Sequence, residues 1–151
     1  MRYVHTNLIA RDWKTLSNFY IEVFNCLTLP DERNLSGEWL DRATGLKNAH
    51  IRGIHLKLPG YGEGGPTLEI FQYEPANSGV DKKINSPGYT HLAFEVDDVV
   101  EISKKAIDCG GTLAGDIVTV KIPAAGTINF VYLRDPEENL IEIQRWLPDN
   151  L

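Results

Sequence analysis

Cysteine is scarce in this chain of 151 residues: Cys26 and Cys109 are the two, far apart and fitting no CxxC metal-binding spacing. They read as reduced, partly buried thiols. Long apolar runs are also missing. No stretch approaches the roughly 20 residues that a membrane-spanning helix needs, and the opening Met1-Arg2-Tyr3-Val4-His5 has no signal-peptide core, so the expectation is a cytoplasmic protein with no membrane partner. Clustered positive charge is absent too. With a net charge of -6 and no local basic cluster to offset it, nucleic acid is not an expected partner. Low-complexity tracts do not occur, and 42% apolar with 24% charged residues is the composition of an ordinary globular protein. The length suits one compact domain, 1–151, and is too short for two ordinary ones.

What the chain does have is a weak internal repeat. Each half opens with a strand-like run bearing a histidine, residues 3–9 with His5 and residues 90–96 with His91. An aspartate suited to capping follows each run, Asp12 before a helical segment at 13–24 and Asp97 or Asp98 before one at 99–109. Leu16, Phe19, Tyr20 and Val23 recur at steps of three and four, and Val99, Ile102, Ala106 and Ile107 do so less regularly, so each helix is expected to pack on a sheet. Cys109-Gly110-Gly111 ends the second helix, and a short strand is expected at 26–29 after the first. Further strand-like runs lie at 51–58 and 66–73 in the first half, and at 117–122, 127–133 and 139–146 in the second. The expected class is α+β, with β-α-β-β-β used twice: module 1 at about 1–75, a linker at 76–87 and module 2 at about 88–147. Residues 31–50, where the first half is longer, are expected to be a long loop that can include a helical turn. The Asp135-Pro136 pair and Asn139 mark a tight turn into the last strand.

Two of these strands carry a lone glutamate between apolar neighbours: Thr67-Leu68-Glu69-Ile70-Phe71 and Leu140-Ile141-Glu142-Ile143-Gln144. Side chains alternate along a strand, so each carboxylate faces away from the core that its neighbours enter. Either glutamate alone would pass for a solvent-facing residue of a half-exposed sheet. Together with the two strand histidines, they give His5, Glu69, His91 and Glu142 at matching places in a repeated unit. Two imidazoles and two carboxylates suit the first shell of a divalent metal with mixed nitrogen and oxygen ligation. Trp39, Arg11, Arg52, His55 and Tyr132 are weaker candidates, for substrate contact.

The His5-Thr6-Asn7-Leu8 strand with Asp12 and the Phe19-Tyr20-x-x-Val23-Phe24 helix, Thr90-His91-Leu92-Ala93-Phe94, and the run Asp135-Pro136-Glu137-Glu138-Asn139-Leu140-Ile141-Glu142 resemble the vicinal oxygen chelate superfamily. That superfamily includes glyoxalase I, methylmalonyl-CoA epimerase, extradiol dioxygenases and the resistance proteins for bleomycin and fosfomycin. The resemblance covers nearly the whole chain. It implies paired βαβββ modules whose curved mixed sheets form a metal-centred cup, often in a homodimer, and it implies metal ligands at the same four residues. The order His, Glu, His, Glu is similar to that of short bacterial glyoxalase I. It implies a lyase or isomerase that removes a proton next to a carbonyl of a small carbonyl or thioester substrate, with a metal-stabilised enediolate. Glu142 is then the favoured base, with Glu69 able to serve from the opposite face. The metal could be Ni, Zn, Co, Mn or Fe. Because one fold hosts many chemistries, an extradiol-type dioxygenase and a non-catalytic, antibiotic-like binding protein stay open as alternatives.

Overall fold

A computed structural model describes residues 1–79 and 82–148; residues 80 and 81 of the expected linker lie outside it. Among the described residues the chain divides into two compact units, 1–79 and 82–148. These residues form two five-stranded mixed sheets and three helices, an α+β class.

In the first unit the order is β1 (His5–Ile9), α1 (Trp13–Phe24), β2 (Leu27–Thr28), β3 (Arg33–Ser36), α2 (Glu38–Thr44), β4 (His50–Lys57) and β5 (Thr67–Glu74). β5 lies between β1, to which it is parallel, and β4, to which it is antiparallel; β2 and β3 both pair with β4. The second unit repeats this plan with β6 (His91–Glu95), α3 (Val99–Asp108), β7 (Thr112–Leu113), β8 (Val118–Ile122), β9 (Gly126–Arg134) and β10 (Leu140–Leu147). There β10 is central, parallel to β6 and antiparallel to β9.

Local chemistry explains where the helices begin. The Asp12 carboxylate accepts from the Lys14 and Thr15 backbone N–H groups at 3.0 and 3.2 Å, and Asp98 does the same for Val100 and Glu101 at 2.8 and 2.9 Å. Each aspartate thereby satisfies donors that the first helical turn leaves open. Helix α1 ends where Asn25 turns left-handed at φ 55°. Its buried stripe, Leu16, Phe19, Tyr20 and Val23, packs on the faces of β4 and β5 that present Ile54, Leu56, Leu68 and Ile70. Burial of each such large side chain contributes about 1.5–3 kcal/mol. In the second unit α3 covers Val131, Leu133, Ile141 and Ile143 in the same way, though Val99 and Ala106 give it a thinner apolar stripe.

The expected long loop at 31–50 is instead a strand and a helix. β3 pairs with β4 from Arg33↔Gly53 to Ser36↔His50, and α2 follows it. The Asp41 carboxylate of α2 accepts from the Asn48 and Ala49 backbone N–H groups, both at 2.8 Å, which ties the helix to the start of β4. Leu40 then closes a cluster with Ala49, Ile51, Leu35, Phe71 and Tyr73. Register places Ile51, Phe71 and Tyr73 on the sheet face opposite α1, so α2 covers one end of that face.

Gly53 is required by a close approach. A Cβ there would meet the Ile70 carbonyl oxygen at 2.1 Å and Phe71 Cδ1 at 2.6 Å, so backbone as well as side chain would have to shift. Gly53→Ala is expected to destabilise the protein by about 2–3 kcal/mol, the upper range for overpacking, whereas Gly62→Ala, with nothing within 4 Å, should be close to neutral; urea unfolding midpoints of the two variants check this.

The Asp12 carboxyl is held below its usual pKa, chiefly by the Thr15 hydroxyl hydrogen bond and then by the Thr15 N–H. A folded-state pKa below the unfolded one makes the cap's contribution complete above the unfolded value, and it is lost as pH falls through the folded value. Asp12→Ala should therefore cost about 1 kcal/mol at neutral pH, with the gap to the unsubstituted protein closing in acid; denaturant curves at several pH values test the sign.

Candidate functional site

On the open side of the first sheet, register gathers three polar side chains around one carboxylate. Glu69 on β5 is opposite Asn7 on β1 and opposite His55 on β4, and His5 lies two residues before Asn7 on the same face. His5 Nε2 is 3.4 Å and Asn7 Nδ2 3.2 Å from Glu69 Oε2, while His55 Nε2 is 3.0 Å from Oε1. The glutamate side chain is only 12% exposed, against 44% for His5. A carboxylate that has lost most of its water needs donors, and these three side chains supply them.

The His55 ring has a pKa below the ordinary imidazole value because burial disfavours its charged form; Glu69 pulls the other way, and Arg33 and His5 add smaller depressions. A neutral ring with its N–H on Nε2 donates to the Glu69 carboxyl oxygen beside it.

The second unit repeats the arrangement with changed partners. Glu142 on β10 is opposite Ala93 on β6 and Tyr132 on β9, with His91 two residues before Ala93. His91 Nε2 is 3.3 Å from Glu142 Oε2, and the His91 and Tyr132 rings meet with centroids 5.4 Å apart. The Tyr132 phenol is pushed above its usual pKa by burial and by its hydrogen bond and proximity to Glu142, so it remains a neutral donor to that carboxylate. The equivalences are therefore His5 with His91, Asn7 with Ala93, Glu69 with Glu142, and His55 with Tyr132.

The other sequence candidates fall elsewhere. Arg52 lies on the α1 face of β4, where its guanidinium pairs with Glu74. Trp39 is an exposed residue of α2, and Arg11 is exposed between β1 and α1. Tyr132 and His55 do reach the glutamates. Asn7 reaches Glu69 as well, and the signal in the sequence is its two-residue spacing from His5, which puts both on one strand face.

In donor chemistry the pairs fit a divalent cation: imidazole nitrogen and carboxylate oxygen on one sheet face, with the carboxylate largely desolvated. Each unit has such a pair at the equivalent position, His5 with Glu69 and His91 with Glu142. Among the described residues no group of three or more His, Cys, Asp or Glu side chains forms a ready-made metal site. No helix among them is long and apolar enough to cross a membrane.

Comparison with known proteins agrees with this plan. The model of the Glyoxalase/Bleomycin resistance protein/Dioxygenase superfamily matches residues 2–143. The chain is similar to lactoylglutathione lyase of Escherichia coli O157:H7 and to that of Shigella flexneri, in each case with 27% identity over 143 residues, 95% of this chain and 91% of the relative. Its fold is similar to that of a glyoxalase family protein from Bacillus cereus, with a TM-score of 0.83, 21% identity, and coverage of 98% of this chain and 95% of that one. With the family model spanning nearly the whole chain and two sheets repeating one strand plan, the protein belongs to the Glyoxalase/Bleomycin resistance protein/Dioxygenase superfamily.

Proposed function

We propose that this protein is a metal-dependent, glyoxalase-like lyase or isomerase acting on a small carbonyl or thioester substrate. The observation that carries the reading is the repetition of one His–Glu pair at the same register position of two sheets: His5 with Glu69 and His91 with Glu142. Similarity to two lactoylglutathione lyases supports the reaction class.

His5 with Glu69 in the first unit, and His91 with Glu142 in the second, would be the ligands of a divalent cation. When bound it would supply a Lewis acid for the substrate carbonyl oxygen. The chain's own residues handle the proton. Glu142 takes it from the hydroxyl-bearing carbon next to the carbonyl, the C–H electron pair moves towards the carbonyl oxygen, and the same carboxylic acid returns the proton to the former carbonyl carbon as the hydroxyl proton passes to the other oxygen, which leaves the first carbon as the new carbonyl. No net oxidation occurs and no co-reactant is consumed. Glu142 suits this duty better than Glu69 because it is less tightly held: Ala93 occupies the position from which Asn7 donates to Glu69. Tyr132 stays a neutral phenol beside it and steadies the carboxylate between transfers.

The first test is metal analysis of protein purified without a metal-binding tag. One divalent ion per chain, lost in the Glu69→Gln, Glu142→Gln double variant, is the expected result. Nickel, cobalt or zinc would direct assays to isomerisation of a hemithioacetal, and iron to oxygen uptake with a catechol. No metal, and none taken up on titration, overturns the enzyme reading and leaves a ligand-binding protein. Removing the cation with a chelator should lower the melting temperature, because adding it back at 100 times its Kd is worth about 2.7 kcal/mol. Glu142→Gln alone should reduce turnover by about 10²–10⁴-fold, the usual contribution of general acid–base catalysis, and more than Glu69→Gln does.

A further inference from the structure

We propose that His55 is a positioning residue for Glu69: it grips Oε1 so that Oε2 stays turned towards His5. This inference rests on the metal reading above and names a residue outside the proposed ligand set. Three observations carry it. First, His55 Nε2 lies 3.0 Å from Oε1, whereas His5 Nε2 and Asn7 Nδ2 lie 3.4 and 3.2 Å from Oε2. The two imidazoles therefore address different oxygens of one carboxylate.

Second, His55 is itself fixed. Its ring packs against Phe71 with centroids 5.6 Å apart, and Phe71 lies across Gly53, where even a Cβ would collide with the ring at 2.6 Å. Gly53, Phe71, His55 and Glu69 thus form one packed series on a single sheet face. A glutamate side chain has three rotatable bonds, and a donor on a neighbouring strand removes the freedom of the last of them.

Third, the second unit puts a different residue at the same place and keeps one property. Tyr132 is opposite Glu142 as His55 is opposite Glu69, with its phenol held protonated beside that carboxylate. A histidine and a tyrosine differ as metal ligands but share a ring-borne hydrogen-bond donor. The donor, rather than a ligand atom, is what this register position supplies in both units.

The test uses the whole chain, stripped of metal, with Co²⁺ alone as the probe, and compares the unsubstituted protein with His55→Phe and His55→Gln. Phenylalanine keeps the ring packed on Phe71 and deletes the donor; glutamine keeps an N–H donor. His55→Phe is expected to weaken Co²⁺ binding by about 10–100-fold, as loss of a ligand-orienting hydrogen bond does, with circular dichroism unchanged and the visible bands of the loaded protein in their original positions. His55→Gln is expected to restore most of the affinity. A merely structural role would alter the circular dichroism or melting of the metal-free protein without rescue by glutamine. Undiminished Co²⁺ affinity in His55→Phe overturns the proposal, and so does a shift of the visible bands, which would make His55 a ligand itself. Failure of the unsubstituted protein to bind Co²⁺ overturns the metal reading as well, and that outcome is recognised without either variant.

Discussion

Glu69 and Glu142 stand on strands that are hydrogen-bonded on both sides, β5 between β1 and β4 and β10 between β6 and β9. On each of these strands the residues before and after the glutamate, Leu68 and Ile70 or Ile141 and Ile143, are fully buried under a helix. A carboxylate in that position cannot move to water without dragging its apolar neighbours out of the core, since a shift of one residue would exchange the two faces. It has to be satisfied where it stands, by side chains on the two flanking strands. That requirement accounts for His5, Asn7 and His55 around Glu69, and for His91 and Tyr132 around Glu142.

The helices enforce the arrangement from the other face. α1 and α3 begin at capping aspartates and press their apolar stripes onto the central strands, which fixes which residues point inward. The open faces are treated differently. In the first unit α2 covers Ile51, Phe71 and Tyr73 and so stiffens the end of the sheet from which His55 is supported. In the second unit β8 turns directly into β9, and Val118, Val120 and Ile122, whose register partners share the face of Tyr132, are about 40% exposed. One strand plan therefore carries two unlike surfaces.

The parts of this structure legible in the sequence are those whose signal is local. The bounds of α1 follow from Asp12 and from apolar residues at three- and four-residue steps, and the orientation of Glu69 and Glu142 follows from alternation alone. The segment at 31–50 was not legible because its signals are weak. β3 reads Arg33-Asn34-Leu35-Ser36, with one apolar residue, and its strand character comes from pairing with β4. α2 buries Leu40 alone and has no side-chain cap at Gly37, so its place depends on the Asp41 contacts to Asn48 and Ala49. β7, two residues long, had no pattern to show. The partner of His55 was hidden for another reason: that it faces Glu69 depends on the β4 to β5 register, which the intervening loop at 58–66 sets and alternation does not.

The duplicated plan also bears on how two similar carboxylates come to be held differently. Without donors, two desolvated carboxylates would weaken the fold. The chain varies those donors by substitution at equivalent positions. Asn7 and His55 give way to Ala93 and Tyr132, so one glutamate is held at both oxygens while the other keeps fewer partners, and the backbone of the two sheets need not differ to achieve it. Differences of this kind, in donors and not in strands, are how one fold comes to serve several chemistries.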